Sequence, residues 1–254
     1  MVSEFIKSVK INQQTDADCY VKYGLSPLDA PKNIRIKFLK TGSLQYISHL
    51  DLHRLINRAL VRAGIPIWYT QGFNPHAKMV FALPLPVGVE SVCEYLDVKI
   101  DKYIPNDDVK ELLNKQLTEE LRVIEVYDPT TKFADISKAD YRILLDSISA
   151  SPELTEKINE FFAGGPILMT KKTKSGEKEI DISALIHSLK AEYCTEAGNI
   201  KINATLTAGS ESLSPEFIMA ALRKYEILPT VSLKDESYSI MRLRVLSSDG
   251  KDFR

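Results

Sequence analysis

Residues 34–64 read IRIKFLKTGSLQYISHLDLHRLINRALVRAG, a strand pattern that passes through a short turn into a helix pattern. The segment IRIKFLK (34–40) alternates apolar and basic residues, which predicts a half-buried strand with a charged outer face. Thr41 and Gly42 then turn the chain into a helix over residues 48–63. This order of strand and then helix opens the arrangement from which the fold class is predicted.

The helix has recognisable start and stop signals. Ser48 is a good N-cap, Asp51 three residues later imitates a capping box, and Gly64 follows the last turn. Apolar residues at helical spacing predict the buried stripe: Leu52, Leu55, Ile56, Ala59 and Ala63. The outer face then carries two polar lines, one of His49, His53 and Asn57 and one of Arg54, Arg58 and Arg62. This face is either solvated or a binding surface.

The rest of the chain repeats one order of elements. Strands are predicted at 66–71, 77–83, 91–100 and 121–128, with a helix at 105–117 before the last of them. The second half predicts strands at 141–146, 199–207 and 237–246, helices at 151–162, 183–193 and 214–226, and a hairpin of 166–172 and 179–183. With the additional elements set aside, each half reads β-α-β-β-α-β. We therefore expect an α+β protein with two tandem ferredoxin-like αβ sandwich domains and antiparallel sheets.

The expected domain organisation follows from these patterns. Residues 1–33 are predicted to be an arm or leader, 34–128 the first domain, 129–138 a linker, 139–247 the second domain and 248–254 a tail. The hairpin of the second domain is basic, with Glu177 and Glu179 diluting the charge of Lys171, Lys172, Lys174 and Lys178. A solvated hairpin is the preferred interpretation.

Composition excludes some classes of protein. The 254 residues include 33 Lys plus Arg and 34 Asp plus Glu, so net charge does not indicate a partner. The chain lacks an apolar run long enough for a transmembrane helix, and its start lacks the apolar core of a signal peptide. Three cysteines far apart do not form a CxxC site or a disulfide framework. These features predict a cytoplasmic protein with free thiols and no membrane partner.

Three kinds of chemistry compete for the polar helix face. His49 and His53 are four residues apart, but HLDLH is not HExxH, and no metal site is predicted. Acid–base chemistry is a second possibility, because a helix N-terminus lowers the pKa of a histidine and favours a neutral base at His49. The third is phosphate binding. Residues 34–81 carry seven Lys and Arg against Asp51 alone, a net charge of +6 with aromatic residues interspersed.

The segment QGFNPHAK (71–78) has the composition of a binding loop. Gly72 and Asn74-Pro75 predict a fixed turn that presents Gln71, Phe73, His76 and Lys78. A tightly packed turn is the alternative interpretation, and the distance from His76 to His49 is not predictable from sequence. We interpret the segment as a substrate loop formed by Gln71, Gly72, Phe73 and Asn74.

At these residues the sequence resembles a known family. TGSLQYISHLDLHRLINRALVRAGIPIWYTQGFNPHAKMVFALPLPVGVESVCEYLD (41–97) is similar to the signature region of the radical-SAM-linked proteins, a bacterial family of unknown function. The match is dense over 34–100 and looser over 140–246. The family motif maps onto Ser48, His49, Asp51, Arg54, Gly64, Gln71, Gly72, Phe73, Asn74, Pro75 and His76. His53 departs from the pattern, where an apolar residue is expected.

The resemblance implies a partner and not a reaction. Members either follow a radical SAM domain in one chain or are encoded near one. This sequence has no CxxxCxxC for a [4Fe–4S] cluster, so it is expected to be the separate form, with no cofactor of its own. The fold is also similar to CRISPR repeat-processing endoribonucleases, which is an analogy between folds only.

The expected function is that of an accessory protein, RNA-binding or substrate-presenting, acting with a separately encoded radical SAM enzyme in modification of RNA or the translation machinery. Phosphate contacts are expected from Lys37, Arg54, Arg58, Arg62 and Lys78, and substrate contacts from the loop 71–76. One alternative is a metal-independent endoribonuclease with His49 as base and His76 as acid or orienting group. A second is a protein-interaction subunit without catalytic activity.

Overall fold

The computed structural model describes residues 25–173, 176–228 and 236–254. The described residues form two compact units: residues 25–84 and 94–130 form the first unit, and Leu85–Cys93 with the described residues from Thr131 to Arg254 form the second. Both units combine helices with mostly antiparallel strands, which confirms the predicted α+β class. In the part of the chain that is described, no helix is long and apolar enough to cross a membrane.

The first unit is built on four strands and two helices of the described chain. In sequence order they are β1 (Pro27–Lys40), α1 (His49–Arg62), β2 (Met79–Phe81), the part of β3 (Val89–Lys102) from Glu94 onward, α2 (Asn106–Asn114) and β4 (Leu121–Tyr127). The strand order is β4-β1-β3-β2. β1 runs antiparallel to β4, and β2 runs antiparallel to β3 with Met79 opposite Val98.

The core of the first unit lies on one side of its sheet. Alternate residues of β1 and β3 pack with apolar residues of both helices, and this cluster includes Ile36, Phe38, Leu96, Val98, Leu52, Ile56, Val109 and Leu113. Ile67, Ala77, Met79 and Phe81 pack against the same cluster. Since neighbouring residues of a strand point to opposite faces, the residues between them project from the other side. We call this other side the helix-free face, formed by Arg35, Lys37, Trp68, Lys78, Val80, Tyr95, Asp97 and Lys99.

β1 differs from the predicted strand with a charged outer face. Arg35 and Lys40 are each only 1% exposed. Arg35 donates from Nε and Nη2 to the two carboxylate oxygens of Asp97, at 2.7 and 2.9 Å. The Lys40 ammonium donates to the carbonyls of Leu44 and Gln45 in a short 3-10 helix, Gly42–Tyr46. Both charges are buried because fixed partners replace their water.

The second unit has the same order of elements with an additional hairpin. It comprises β5 (Ile136–Ser147), α3 (Pro152–Ala163), β6 (Leu168–Thr173), β7 (Gly176–Asp181), β8 (Ile186–Cys194), β9 (Asn199–Thr207), α4 (Glu216–Lys224) and β10 (Glu236–Ser247). The strand order β10-β5-β9-β8 is antiparallel throughout. Val89–Ser91 adds a short parallel pairing to β10 at Ile240–Arg242. β6 and β7 pair only with each other.

Two sequence-based elements were wrong. The predicted strand 66–71 is reduced to isolated bridges, from Ile67 to Ile100 and from Tyr69 to Ala77. The predicted helix 183–193 is instead a single 3-10 turn followed by β8. Ile182, Leu185, Ile186 and Leu189 have helical spacing, but pairing with β9 along the whole strand satisfies the backbone groups of β8.

The ends of the predicted domains carry ordered structure. β1 begins at Pro27, within the expected arm, and Phe253 of the expected tail is 2% exposed and contacts Phe133. Cys93 and Cys194 are free thiols. Residues 1–24 of the arm, with Cys19, and Lys174 and Ser175 of the basic hairpin lie outside the described residues.

Candidate functional site

The start of α1 has the predicted cap. The Ser48 hydroxyl accepts a hydrogen bond from the backbone N–H of Asp51 at 3.2 Å and donates to the Asp51 carboxylate at 2.7 Å. This second bond holds the pKa of Asp51 below its ordinary value, with a smaller contribution from Arg54. His49 is therefore the first residue of the helix, as the sequence predicts. Its side chain is exposed.

His49 and His53 flank one aromatic ring from β2. The ring centroid of Phe81 lies 5.0 Å from that of His49, in an edge-on geometry, and 6.0 Å from that of His53. Phe81 in turn packs edge-on against Phe38 of the core, at 6.3 Å. The histidine line is thus fixed against the end of the sheet and not simply solvated.

His53 is the more constrained of the two histidines. Partial burial lowers the pKa of His53 below its ordinary value, and repulsion from His49 and His76 lowers it further. His76 therefore lies within electrostatic range of His53. The structure gathers His49, His53 and His76 on one side of the first unit, a grouping that the sequence did not predict.

His76 closes the substrate loop. Its backbone N–H donates to the hydroxyl of Thr70 at 3.1 Å, and its carbonyl accepts from the Thr70 N–H at 3.0 Å. Its Nδ1 lies 3.2 Å from the carbonyl of Asn74 and 3.0 Å from the Thr70 hydroxyl. A protonated Nδ1 would donate to that carbonyl, and Nε2 would then be a hydrogen-bond acceptor.

The tip of the loop is fully presented to solvent. Gln71, Gly72, Phe73 and Asn74 are all exposed, and the Phe73 side chain has no burial at all. Gly72 has a φ of 137°, which disfavours any other residue there. The loop closed by Thr70 and His76 therefore presents a phenyl ring that takes no part in core packing.

The arginine line occupies the neighbouring strip of α1. Arg54, Arg58 and Arg62 are exposed. Arg54 forms a solvent-exposed ion pair with Asp51 at 3.3 Å, which contributes little to stability. Arg58 and Arg62 form no ion pair with any residue that the structure describes. Two guanidinium groups are therefore available to an anionic ligand.

The other two predicted phosphate contacts lie elsewhere. Lys37 and Lys78 belong to the helix-free face, whereas the arginine line belongs to a helix packed on the opposite side of the sheet. The Lys37 ammonium lies 5.7 Å from the centroid of the Tyr95 ring. The five basic residues therefore form two surfaces and not one. The alternation of IRIKFLK could have predicted the separation of Lys37 from the arginine line, since Lys37 cannot share a face with Ile36 and Phe38.

Three further features were missed by sequence reasoning. The sequence predicts Phe81 only as part of the strand 77–83, and no short-range pattern indicates its contact with the histidines of α1. The side-chain oxygen of Asn57, next on the histidine line, is buried and has no hydrogen-bond partner among the residues that the structure describes. Lys99 Nζ lies 4.8 Å from the centroid of the Trp68 ring, a contact between residues 31 positions apart in sequence.

No other part of the described chain offers a stronger polar site. The described residues contain no group of three or more His, Cys, Asp or Glu arranged to hold a metal ion. A shallow cavity of about 330 Å³ in the second unit is lined by Asp140, Thr205 and Arg244, among others. The Asp140 carboxylate already accepts hydrogen bonds from Arg244 and Thr205, at 2.6–2.8 Å, so this cavity presents no uncompensated anion.

Comparison with known proteins identifies the family of the chain. It belongs to the family described as "Uncharacterized protein conserved in bacteria (DUF2344)", whose profile matches residues 33–215. A search of curated proteins finds no match.

Comparison with solved structures gives distant likenesses. A chain from "Crystal Structure of a Cbf5-Nop10-Gar1 Complex" is 10% identical with a TM-score of 0.44, over 84% of this chain and 48% of that one. This chain thus spans about half the length of that protein. An unknown protein from Galdieria sulphuraria (9% identity, TM-score 0.23, coverage 84% and 99%) and a putative glycine cleavage system transcriptional repressor (14%, 0.22, 87% and 100%) are also similar in part. These likenesses are too distant to carry an argument.

Proposed function

We propose that this member of a conserved bacterial family is an accessory RNA-binding or substrate-presenting protein that acts with a radical SAM enzyme in the modification of RNA or the translation machinery. The observation that carries the proposal is the arginine line of α1. Arg54, Arg58 and Arg62 present three guanidinium groups on successive turns, and two of them have no carboxylate partner in the described chain. Guanidinium groups match phosphate oxygens in charge and geometry.

The histidine line supports the same role. His49 and His53 lie on α1 beside the arginine line, and imidazole N–H groups there offer further hydrogen-bond donors to a bound phosphate. His76, which closes the predicted substrate loop, lies within electrostatic range of His53 on the histidine line. The exposed ring of Phe73 at the tip of this loop is suited to contact with a base.

The association with a radical SAM enzyme rests on the resemblance of residues 34–100 to the radical-SAM-linked proteins. The three cysteines of the sequence have no CxxxCxxC spacing, so a partner enzyme would supply the cluster and the radical. The function of this chain would then be to bind and orient the substrate. No residue of the chain is assigned to the radical step.

We also infer that each unit is a ferredoxin-like αβ sandwich. The order strand-helix-strand-strand-helix-strand and the corresponding strand order, last-first-third-second, occur in both units. Such a sheet carries its helices on one side, so the residues of its other side form a separate face. The arginine line and the helix-free face are consequences of this arrangement in the first unit.

The proposal is tested by purifying the tagged chain from cells, together with an Arg54→Ala/Arg58→Ala/Arg62→Ala variant. We expect RNA and a radical SAM protein to co-purify with the unaltered chain. With the recovered RNA, binding should weaken as salt is raised, and the slope of log K against log salt should decrease in the variant by roughly 0.7–0.9 for each phosphate contact removed. Loss of about tenfold or more in affinity at low salt is expected.

A Lys115→Ala/Lys157→Ala/Lys251→Ala variant is the matched control, because it removes the same charge from exposed positions outside this strip. Equal losses in both variants would mean that only net charge matters, and salt-independent binding would contradict phosphate recognition. Recovery of a radical SAM protein without RNA would favour a protein-interaction subunit. Cleavage of the RNA that is abolished by His49→Ala would instead favour the endoribonuclease alternative.

A further inference from the structure

The edge of the helix-free face in the first unit combines an indole ring with two lysines. Trp68 is followed across a bridged turn by Lys78, whose N–H donates to the Trp68 carbonyl at 3.2 Å. The Trp68 N–H donates to the carbonyl of Lys99 on β3 at 2.8 Å, and the Lys99 N–H donates to the Lys78 carbonyl at 3.0 Å. The backbone of each of these three residues is therefore hydrogen-bonded to the other two, with Trp68, Lys78 and Lys99 on one face.

The indole ring is held by a contact that a ligand can replace. Lys99 Nζ lies 4.8 Å from the ring centroid of Trp68, a cation–π contact at a half-buried site. A lysine side chain is long and flexible, and its ammonium gains more from a phosphate than from an aromatic ring in water. Movement of Lys99 toward a phosphate would uncover the indole for a flat, apolar group.

The charges of this edge are largely uncompensated. Lys37, Lys78 and Lys99 form no salt bridge with a residue that the structure describes. Arg35 and Asp97, on the same face, neutralise each other. Glu125 lies opposite Lys37 in the pairing of β1 with β4, away from the β2 edge. Beside Lys78, the apolar side chain of Val80 is 45% exposed.

We propose that this edge, formed by Trp68, Lys78, Val80 and Lys99, binds single-stranded RNA, with a base stacked on Trp68 and the flanking phosphates bound by Lys78 and Lys99. An indole surrounded by free ammonium groups is the combination that recognises unpaired nucleotides, because every base offers a flat π face and every linkage a negative charge. A paired strand keeps its bases stacked inside the helix, so this edge is selective for unpaired segments. The inference rests on the proposed RNA-binding function and assigns it a second surface.

The fluorescence of the chain reports on this site directly, since Trp68 is its only tryptophan. The full chain is titrated with polyuridylate, with a poly(A)·poly(U) duplex and with polyglutamate. Polyuridylate is expected to quench the emission of Trp68 in a saturable and salt-sensitive manner. The duplex and polyglutamate lack an accessible base, so neither should quench it.

Variants separate stacking from charge. Trp68→Ala should weaken polyuridylate binding by about tenfold or more in a filter-binding assay, and Trp68→Phe should retain most of it. Lys78→Ala/Lys99→Ala should weaken the quench and reduce its salt dependence, with an unchanged far-UV circular dichroism spectrum as evidence of folding, because loss of the Lys99 ammonium is expected to alter the emission of Trp68 by itself. Tyr103→Ala, which removes another aromatic residue of the first unit that is 54% exposed, should leave binding unchanged.

The outcomes distinguish the two surfaces. Quenching that persists in the Arg54/Arg58/Arg62 variant establishes the sheet edge as a separate site. RNA binding without any change in Trp68 emission overturns this inference and leaves the proposed function standing. Equal quenching by polyglutamate overturns it in favour of an acidic protein segment. Absence of all RNA binding overturns the proposed function, and this inference with it.

Discussion

His53 lies half-buried on α1 between His49 and the closed loop that ends at His76, with the ring of Phe81 beside it. Protonation of His53 is disfavoured first by its partial burial and then by the two neighbouring imidazoles. In the sequence, His53 is notable only as a departure from the family pattern. In the structure, it is the histidine on which the other two act electrostatically. Its charge state is set by groups on two different segments.

The acid sensitivity of the first unit should depend on His53. The folded chain holds the pKa of His53 below its ordinary value of 6.5, so near that pH the unfolded chain binds more protons. The free energy of unfolding therefore rises with pH between the lowered pKa and 6.5. The contribution of His53 to this free energy is lost as the pH falls through the lowered pKa. His53→Leu removes this contribution, so we expect a smaller loss of stability from about pH 7.5 to about pH 5.

Urea unfolding followed by Trp68 emission measures this effect, because the single tryptophan lies in the same unit. His187→Gln is the control: burial and Lys138 lower the pKa of His187 in the second unit, where Trp68 does not report. An identical fall in stability on acidification for His53→Leu and the unaltered chain would show that His53 does not couple folding to pH.

At the scale of elements, α1 carries two functions on one short helix. Its stripe of Leu52, Ile56, Ala59 and Leu60 fills the core. Its other side places the histidine line against Phe81 and the arginine line in solvent. The position of both lines depends on where the helix starts, which is decided at Ser48.

Ser48→Ala should destabilise the first unit by about 1 kcal/mol, because the Asp51 N–H loses its side-chain acceptor and the helix end frays. The urea midpoint monitored by Trp68 should decrease by roughly 0.5 M for an m-value of about 2 kcal/mol/M. Ser48→Thr retains a hydroxyl at the cap and should recover most of this stability. A midpoint unchanged in Ser48→Ala would mean that the Ser48 hydrogen bonds are not maintained in solution.

At the scale of the whole molecule, the two units are not continuous in sequence. Leu85–Cys93 belongs to the second unit although it is flanked on both sides by residues of the first. Val89–Ser91 pairs in parallel with Ile240–Arg242, and Cys93 Sγ lies 3.8 Å from the Arg242 carbonyl. The segment Val89–Ser91 thus covers the edge of β10 at Ile240–Arg242.

A fragment of residues 131–254 should therefore not behave as an independent domain. Without Leu85–Cys93 the backbone groups of Ile240–Arg242 on the side away from β5 lose their partners, and an open strand edge promotes association. We expect aggregation or concentration-dependent oligomers in size-exclusion chromatography. The same fragment with residues 85–93 attached through a flexible linker should elute as a smaller, better-folded species. A monomeric, cooperatively unfolding 131–254 fragment would contradict this expectation.

The strand β8 shows why part of the fold was not predictable. Residues 182–189 have apolar spacing compatible with a helix, and helical and extended states of such a short segment differ little in intrinsic free energy. The choice is made by β9, which follows after a turn at Gly198 and pairs with β8 over its length. Similarly, the predicted strand 66–71 became isolated bridges followed by a closed loop, because Thr70 and His76 hydrogen-bond to each other.

The sequence alone determined the elements whose causes are local. The cap of α1, its buried stripe, the Ser151 cap of α3 and the strand at 199–207 follow from hydrogen bonds and periodicities within a few residues. Tertiary structure alone decided which distant segments became neighbours. It set Phe81 and His76 beside the histidine line, separated Lys37 and Lys78 from the arginine line, and brought Lys99 over Trp68. These contacts join residues far apart in sequence, so their formation depends on the pairing of strands and on packing of the common core.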